Sequence, residues 1–118
     1  MSYTLTMTKA AENDIESIGV YVFGNFGEQA AIDALNNIEN KFIALAQFPN
    51  IGSQVTILED LGIMNFGILI LSPQNKALYK INHKKKTITV RIVCGCKESF
   101  ENVLFRRLIS YKNKIQGK

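Results

Sequence analysis

The fold of this sequence is decided by residues 76–96, KALYKINHKKKTITVRIVCGC. On either side of the central HKKK, the chain alternates in hydrophobicity with a period of two, as strands with one buried face do. In the first strand, the residues expected to share one face are Ala77, Tyr79 and Ile81. In the second strand, one face is expected to carry Ile88, Val90, Ile92 and Cys94, and the other Thr87, Thr89, Arg91 and Val93. HKKK then forms the basic turn of a β-hairpin.

A further strand precedes this hairpin. Residues 63–71, IMNFGILIL, are strongly apolar, and the SPQN that follows has Pro73 at the second position of a turn, where the fixed φ of proline is favoured. The three consecutive strands are therefore predicted to form an antiparallel meander.

Two amphipathic helices are predicted in the first half of the chain. Residues 3–7 alternate as a short strand, and Thr8 can cap the first helix, which is expected from Lys9 to about Phe23. GNFG at 24–27 is expected to separate the helices, and FPNIG at 48–52 to end the second one. The inner face of the first helix would carry Ala11, Ile15, Ile18 and Val22, and that of the second Ala31, Leu35, Ile38, Phe42 and Leu45.

A third, basic helix is predicted from Lys97 to about Gln116. Its apolar residues recur at steps of three and four, at Phe100, Leu104, Leu108, Tyr111 and Ile115. The fold class is therefore α+β, as a single domain over residues 1–118. It consists of an N-terminal strand, a helical hairpin, a meander that completes a mainly antiparallel sheet, and the C-terminal helix at about 97–116.

The cysteines of CGC are best interpreted as structural. Cys94 continues an apolar row and behaves as a small buried hydrophobe, whereas Gly95 can bulge Cys96 away from that row. A disulfide between them is disfavoured because their side chains project in parallel, about 6.6 to 7 Å apart. A zinc site would need two more ligands, and His83 is the sole histidine of the sequence. We therefore expect no metal.

Recognisable enzyme motifs are absent from the sequence. His83 lies in the predicted turn beside three lysines, where an exposed histidine is the simpler interpretation than a catalytic one. The sequence contains neither a phosphate-binding loop nor a dinucleotide fingerprint. We accordingly expect no cofactor.

Length and composition indicate one modest hydrophobic core. The chain has 118 residues and 47% hydrophobic content. Its longest apolar run, FGILIL at 66–71, is far shorter than the roughly 20 residues that a membrane span needs, and MSYTLTMTK lacks the order of a secretory signal. We expect a cytoplasmic protein with reduced thiols and no membrane partner.

Charge is divided unevenly along the chain. Up to Asn75 there are two basic and eight acidic residues, whereas from Lys76 onward there are twelve basic and two acidic residues. Such asymmetry is typical of a protein whose C-terminal half meets an anionic partner, nucleic acid first, although a solvated lysine-rich surface produces the same pattern.

The order of these elements resembles the RelE/ParE superfamily of toxins from bacterial type II toxin-antitoxin modules, which include plasmid stabilisation systems. The resemblance is carried by TKAAENDIESIGVYVFGNFGEQAA, by a second helix ending in ALAQFPNIG, and by the hairpin ALYKINHKKKTITVRIVCG. It spans about residues 3–97. The FPNIG stop and the long helical hairpin look more like the ParE branch, and the lysine and glutamate after CG look like the RelE branch.

The RelE branch implies a ribosome-dependent mRNA endoribonuclease, or mRNA interferase. Lys97 falls where that branch carries a catalytic arginine, so it would be the catalytic residue. The strand NFGILILS has no arginine where the branch would have one, and Phe100 or Val103 stands near the expected tyrosine. A lysine offers a point charge but not the bidentate fork of arginine. These departures weaken the nuclease hypothesis.

The ParE branch implies a toxin that binds DNA gyrase and traps its cleaved complex, which requires a binding surface rather than a catalytic set. This is the favoured hypothesis. The residues assigned to target binding are Lys84, Lys85, Lys86, Arg91, Lys97, Arg106 and Arg107. Arg91 is the one arginine in the central hairpin, where ParE-like chains commonly carry several, so a degenerate member that only binds its antitoxin is the third hypothesis.

The partners implied by the resemblance are a cognate antitoxin and either gyrase or the ribosome with its mRNA. An amphipathic antitoxin segment would cover exposed apolar surface, while its acidic residues would meet Lys80, Arg91 or Lys97. The oligomeric state is left open between a homodimer and a hetero-oligomer with the antitoxin.

Overall fold

The computed structural model describes residues 2–55 and 64–99, together with residues 60, 62, 102, 103 and 106. Seven elements follow one another in these residues. They are β1 (Thr4–Met7), α1 (Lys9–Phe26), α2 (Glu28–Gln47), β2 (Ser53–Gln54), β3 (Phe66–Ile70), β4 (Asn75–Asn82) and β5 (Thr87–Gly95).

The five strands form one sheet in the order β1-β5-β4-β3-β2. Strands β2 to β5 are antiparallel neighbours, as the predicted meander requires, with the short β2 added at the edge of β3. Strand β1 pairs in parallel with β5, in a register that joins Thr4 to Thr87 and Met7 to Val90. The predicted α+β class with a mainly antiparallel sheet is confirmed.

Helix α1 begins where the sequence predicts and ends later. The Thr8 hydroxyl accepts a hydrogen bond from the Ala11 amide at 3.1 Å, which makes Thr8 the predicted N-cap. The expected break at GNFG is wrong in extent, because α1 continues through Phe26 and the interruption is confined to Gly27. The φ of Gly27 is 95°, a conformation that favours glycine, so one residue suffices to reverse the chain.

Helix α2 packs against both α1 and the sheet. It ends at Gln47, immediately before FPNIG, as predicted. Of its predicted inner face, Ala31, Ile38, Phe42 and Leu45 are buried. Leu35 is instead 37% exposed and lies over Gly19 of α1, where a Cβ would come within 3.3 Å of the leucine side chain. Gly19 therefore permits the close approach of the two helices.

The main core lies between the helices and one face of the sheet. Leu45 and Ala11 from the helices meet Ile88 and Val90 of β5, and all four are fully or almost fully buried. A second, smaller cluster lies on the opposite face of the sheet, which we call the open face. Its buried members are Leu78, Ile92, Cys94 and Val103.

A β-bulge in β5 corrects the predicted strand faces. Leu78 pairs with Ile92 and Tyr79 pairs with Val90, so the extra residue of β5 is Arg91. Ile88 and Val90 face the helices as one set, but Ile92 and Cys94 belong to the open face. Strict alternation therefore fails at Arg91, because an inserted residue reverses the face of every residue that follows it.

The C-terminal helix predicted at about 97–116 falls mostly outside the described residues. Asn102, Val103 and Arg106 within it are helical, and the Val103 amide donates to the Ser99 carbonyl at 3.1 Å. The side chain of Val103 packs on the open-face cluster. Arg107 lies outside the described residues.

Candidate binding face

Two cations of the open face share one aromatic ring. Phe66 is the register partner of Lys80 across β3 and β4. The Lys80 ammonium lies 5.5 Å from the centroid of the Phe66 ring, and the Arg91 guanidinium carbon lies 5.6 Å from it. Lys80 and Arg91 are both exposed, and each lies within cation–π range of the same ring. Two cations around one ring provide positive charge that suits a carboxylate or a phosphate.

Apolar side chains continue from this cation pair along β3. Phe66 and Ile68 are half-buried against the open-face cluster, whereas Ile70, two residues further along the same strand face, is 54% exposed. Met64, just before the strand, is 53% exposed. The open face therefore combines an uncovered apolar row with positive charge, a combination that matches an amphipathic acidic segment.

A second charged group lies beyond the end of β5. The Glu98 carboxylate accepts from the Gly95 amide at 3.0 Å and pairs with Arg106 at 3.2 Å. The hydrogen bond from Gly95 and the bond from Arg106 hold the pKa of Glu98 below its usual value. Lys76 donates to the Glu98 carbonyl at 2.6 Å. Glu98 is therefore ionised at neutral pH. Its bonds hold the segment after β5 in place, and it is not a proton donor at that pH.

Lys97 and Arg106 are the two cations beside Glu98. Lys97 is exposed within the turn that follows β5, and the Arg106 side chain is 65% exposed in its pair with Glu98. This much exposure makes the ion pair weak, so Arg106 can exchange Glu98 for another anion at little cost.

The turn between β4 and β5 presents Lys84, Lys85 and Lys86, all exposed. The Lys85 amide donates to the Asn82 side chain at 3.0 Å. His83 is an exposed turn residue, as predicted, and its Nδ1 lies 3.0 Å from the Tyr3 hydroxyl in an edge-to-face ring contact that the sequence did not indicate. The turn is thus fixed to β1 and projects its lysines into solvent.

The predicted site residues form separate groups. Lys80 and Arg91 lie together on Phe66, the three turn lysines precede β5, and Lys97 follows it. Strand β5 has nine residues, so the turn and Lys97 are separated by about 30 Å of strand at 3.3 Å per residue. Among the described residues, the structure gathers Lys80 and Arg91 from neighbouring strands around one ring, whereas the turn lysines and Lys97 lie at opposite ends of β5. Phe66, which joins that pair, was counted in the sequence only as a strand residue.

Tyr79 lies on the side of the sheet opposite to these cations. It belongs to the main core, is 2% exposed, and burial raises the pKa of its hydroxyl. Its ring fills the space beside Gly52 and Gly67. A Cβ on Gly67 would come within 2.4 Å of that ring. Across the part of the open face that the structure describes, neither histidine nor tyrosine is present. That part of the face offers cations and apolar surface, but not the side chains that most often move protons.

Neither Cys94 nor Cys96 is in a disulfide. Cys94 is buried, which confirms its interpretation as a small hydrophobe, although it packs on the open-face side beside Leu78 and Val103. Cys96 is half-buried and its thiol donates to the Ser72 carbonyl at 3.6 Å. Among the residues described, no three histidine, cysteine or acidic side chains are grouped as metal ligands would be.

The end of the helical hairpin is a second exposed apolar surface. This hairpin tip comprises Val20, Tyr21, Phe23 and Phe26 of α1 together with Ile32 of α2, all of which are exposed. Beneath it, a cleft of about 850 Å³ runs between the helices and the ends of β3 and β5. Neither helix among those described is both long and apolar enough to cross a membrane.

The chain matches a model of a protein family. The model described as "ParE toxin of type II toxin-antitoxin system, parDE" matches residues 5–109. No curated protein sequence matches the chain.

Solved structures share the fold at low sequence identity. The chromosomal ParDE toxin-antitoxin system of P. aeruginosa aligns with a TM-score of 0.62 and 19% identity, over 80% of this chain and 96% of that one. The isolated E. coli RelE toxin aligns with a TM-score of 0.57 and 14% identity, over 92% and 99%. The toxin-antitoxin complex RelBE2 of Mycobacterium tuberculosis aligns with a TM-score of 0.51 and 16% identity, over 80% and 99%.

Proposed function

Since this chain belongs to the ParE toxin family of type II toxin-antitoxin systems, within the RelE/ParE superfamily, we propose that it acts on DNA gyrase and is neutralised by a cognate antitoxin. The gyrase assignment rests on the ParE branch, because the ParE model matches residues 5–109, most of the chain. On this proposal, the open face is the surface that both partners need.

The chemistry of the open face carries this proposal. A nuclease has to move protons to and from the reacting oxygens, which side chains such as histidine, glutamate or tyrosine do best when their pKa values suit the pH. The described part of this face has Lys80 and Arg91 over Phe66, while Tyr79 is turned into the core. A toxin that acts by binding needs no proton transfer. The available residues therefore favour a gyrase binder over an endoribonuclease.

The same face supports an antitoxin partner. The P. aeruginosa and M. tuberculosis structures are of toxin-antitoxin systems. Here the exposed Ile70 and Met64 offer an apolar contact surface. Lys80 and Arg91 add positive charge. An acidic amphipathic segment satisfies both requirements, and apolar contact should contribute most of its affinity. Loss of antitoxin binding at moderate salt would contradict an affinity dominated by apolar contact.

The direct test is to express the chain without its antitoxin and to measure DNA supercoiling, linear DNA and mRNA cleavage side by side. Linear DNA that requires gyrase, together with intact mRNA, is the expected result. Cuts in the mRNA at the ribosomal A site with normal supercoiling would contradict the gyrase assignment. Unaffected growth at verified expression would instead favour a degenerate member that only binds its antitoxin.

An endoribonuclease is the second candidate function because Lys97 is exposed beside the Glu98–Arg106 pair, where a cation could stabilise phosphate charge. If the chain is a nuclease, Lys97→Ala should lower ribosome-dependent cleavage by about 10²- to 10³-fold, as the loss of one stabilising group typically does. If it is a gyrase binder, the same change should weaken inhibition only a fewfold. The matched control is Lys41→Ala, which removes an exposed lysine of α2 that is not assigned to target or antitoxin binding.

A further inference from the structure

The bulge in β5 determines where Arg91 points. Because Leu78 pairs with Ile92 and Tyr79 pairs with Val90, Arg91 has no opposite residue on β4. Bulges bend a strand locally and redirect its side chains, and they are frequent beside functional sites. At this bulge, the redirected side chain is the guanidinium that lies over Phe66.

The backbone around the bulge is held by residues that begin α1. The Thr8 amide donates to the Val90 carbonyl at 3.0 Å, and the Thr8 hydroxyl donates to the Arg91 carbonyl at 3.1 Å. The Asp14 carboxylate accepts from the Val93 amide at 2.9 Å. A bulge disrupts the regular ladder, and buried backbone groups left without partners are costly. Two residues outside the sheet therefore satisfy the backbone on both sides of Arg91.

Asp14 and Thr8 serve different purposes in this arrangement. Thr8 is also the N-cap of α1, so its removal would disturb the helix as well as the bulge. Asp14 lies in the second turn of α1, and its carboxylate accepts a hydrogen bond from the strand β5. Hydrogen bonds to an ionised acceptor are stronger than neutral ones. Asp14 is thus the residue at which the bulge can be loosened without removing the helix cap.

We propose that Asp14 is a positioning residue for Arg91: it fixes the bulge from the helix side, so that the guanidinium is presented on the open face against Phe66. The importance of this orientation for partner binding rests on the proposed function. The orientation itself does not, so it can be tested separately.

The first experiment observes the Arg91 side chain directly. In the folded protein, the ring current of Phe66 should displace the Nε–H resonance of Arg91 in a nitrogen-edited NMR spectrum, and Arg91→Lys identifies that signal. Asp14→Ala should return the resonance toward its unperturbed position. Asp14→Asn keeps an acceptor oxygen and should preserve it. Glu16→Ala removes an equal charge from an exposed position of the same helix and should leave it unchanged.

An unchanged resonance in folded Asp14→Ala would overturn the proposal, as would an equal change in Glu16→Ala. If Asp14→Ala does not fold, Asp14→Glu provides the test, because it keeps the charge and displaces the acceptor by one methylene group. Asp14→Glu should then move the resonance, and an unmoved resonance in that variant would overturn the proposal.

The second experiment is a double-mutant cycle on gyrase inhibition. Asp14→Ala should lower inhibition about 10-fold with Arg91 present and less than about twofold in an Arg91→Ala background, the coupling expected of two residues that act together. Equal losses in both backgrounds would overturn the positioning role. If the unaltered chain does not inhibit gyrase, the proposed function fails while the NMR result still decides the role of Asp14.

Discussion

At the scale of single residues, Phe66 gives the open face its character. An ordinary strand phenylalanine would contribute only apolar area, but this ring lies within 6 Å of both a lysine and an arginine. Charge alone would keep Lys80 and Arg91 apart, whereas the electron-rich face of an aromatic ring attracts each of them. A partner that brings a carboxylate or a phosphate therefore meets two cations whose positions are already restricted, and it loses less entropy on binding.

Replacing Phe66 by leucine should separate these effects. Phe66→Leu keeps an apolar side chain but removes the ring, so the free energy of unfolding should fall by about 1 kcal/mol from two cation–π contacts of roughly 0.5 kcal/mol each. Affinity for an acidic antitoxin segment should fall as well. The measurements are urea unfolding and calorimetric titration. Phe48→Leu is the control, since Phe48 is 63% exposed, and an equal loss of affinity in that variant would contradict the assignment.

The two cysteines should respond differently to substitution by serine. Cys94→Ser places a hydroxyl in the buried cluster with Leu78 and Ile92, so it should destabilise the fold by about 1 to 3 kcal/mol. Cys96 is less buried and already bonds a carbonyl, so Cys96→Ser should cost less. Thermal unfolding of both variants checks the order. Stoichiometric zinc found by elemental analysis would refute the structural interpretation of both cysteines.

At the scale of elements, the sequence predicts the helices and strands whose formation depends on the local pattern of apolar residues. The helices α1 and α2 and the strands β4 and β5 follow from periods of 3.6 and 2.0, and β3 follows from its run of apolar residues. The bulge at Arg91 does not, because its backbone is satisfied by Thr8 and Asp14, which are about 80 residues away in the chain. Strand β2 was missed for a similar reason, since two residues have no period and their pairing is provided by β3.

The candidate site also has a part that the sequence predicts and a part that it does not. Lys80 and Arg91 were predicted from their charge together with the acidic antitoxin partner that the family resemblance implies. Their meeting on Phe66 depends on the register that places Phe66 opposite Lys80 and on the bulge, and neither is encoded locally. Sequence reasoning therefore identifies the charged residues but not the ring that joins them.

Two glycines in different elements should respond oppositely to alanine. Gly67 of β3 lies against Tyr79, and a Cβ there would come within 2.4 Å of the ring, so Gly67→Ala should destabilise by about 1 to 3 kcal/mol through overpacking. Gly24 lies within α1 with nothing within 4 Å of an added Cβ, so Gly24→Ala should stabilise by about 0.5 to 1 kcal/mol. Denaturant unfolding measures both signs. A stable Gly67→Ala variant would show that Tyr79 can leave its position.

At the scale of the whole molecule, charge is segregated between the two layers. Helices α1 and α2 contain two lysines and six acidic residues, whereas the turn and the open face carry lysine and arginine. The protein therefore presents a positive side and a negative side, and an anionic partner is steered toward the sheet. The apolar hairpin tip lies on the acidic layer, away from that field.

Reversing the turn charges should test the contribution of this field. Single changes at Lys84, Lys85 or Lys86 should weaken gyrase inhibition only modestly, because affinity is spread over several contacts, whereas a combined Lys84→Glu, Lys85→Glu and Lys86→Glu variant should abolish it. Supercoiling assays at two salt concentrations measure the effect, and the loss should be larger at low salt. Full inhibition by the triple variant would exclude the turn from target binding.

The parallel pairing of β1 with β5 also fixes when the protein becomes complete during synthesis. Thr4 bonds alongside Thr87, so the first strand to leave the ribosome must wait for the last described strand before its partner exists. Pairings between residues this distant in sequence form slowly and late. Helices α1 and α2 can emerge and associate earlier, but Arg91 reaches Phe66 only when β5 has been translated. The nascent chain is therefore without its cation pair until β5 has been made, and an antitoxin has the interval before β5 pairs in which to arrive first.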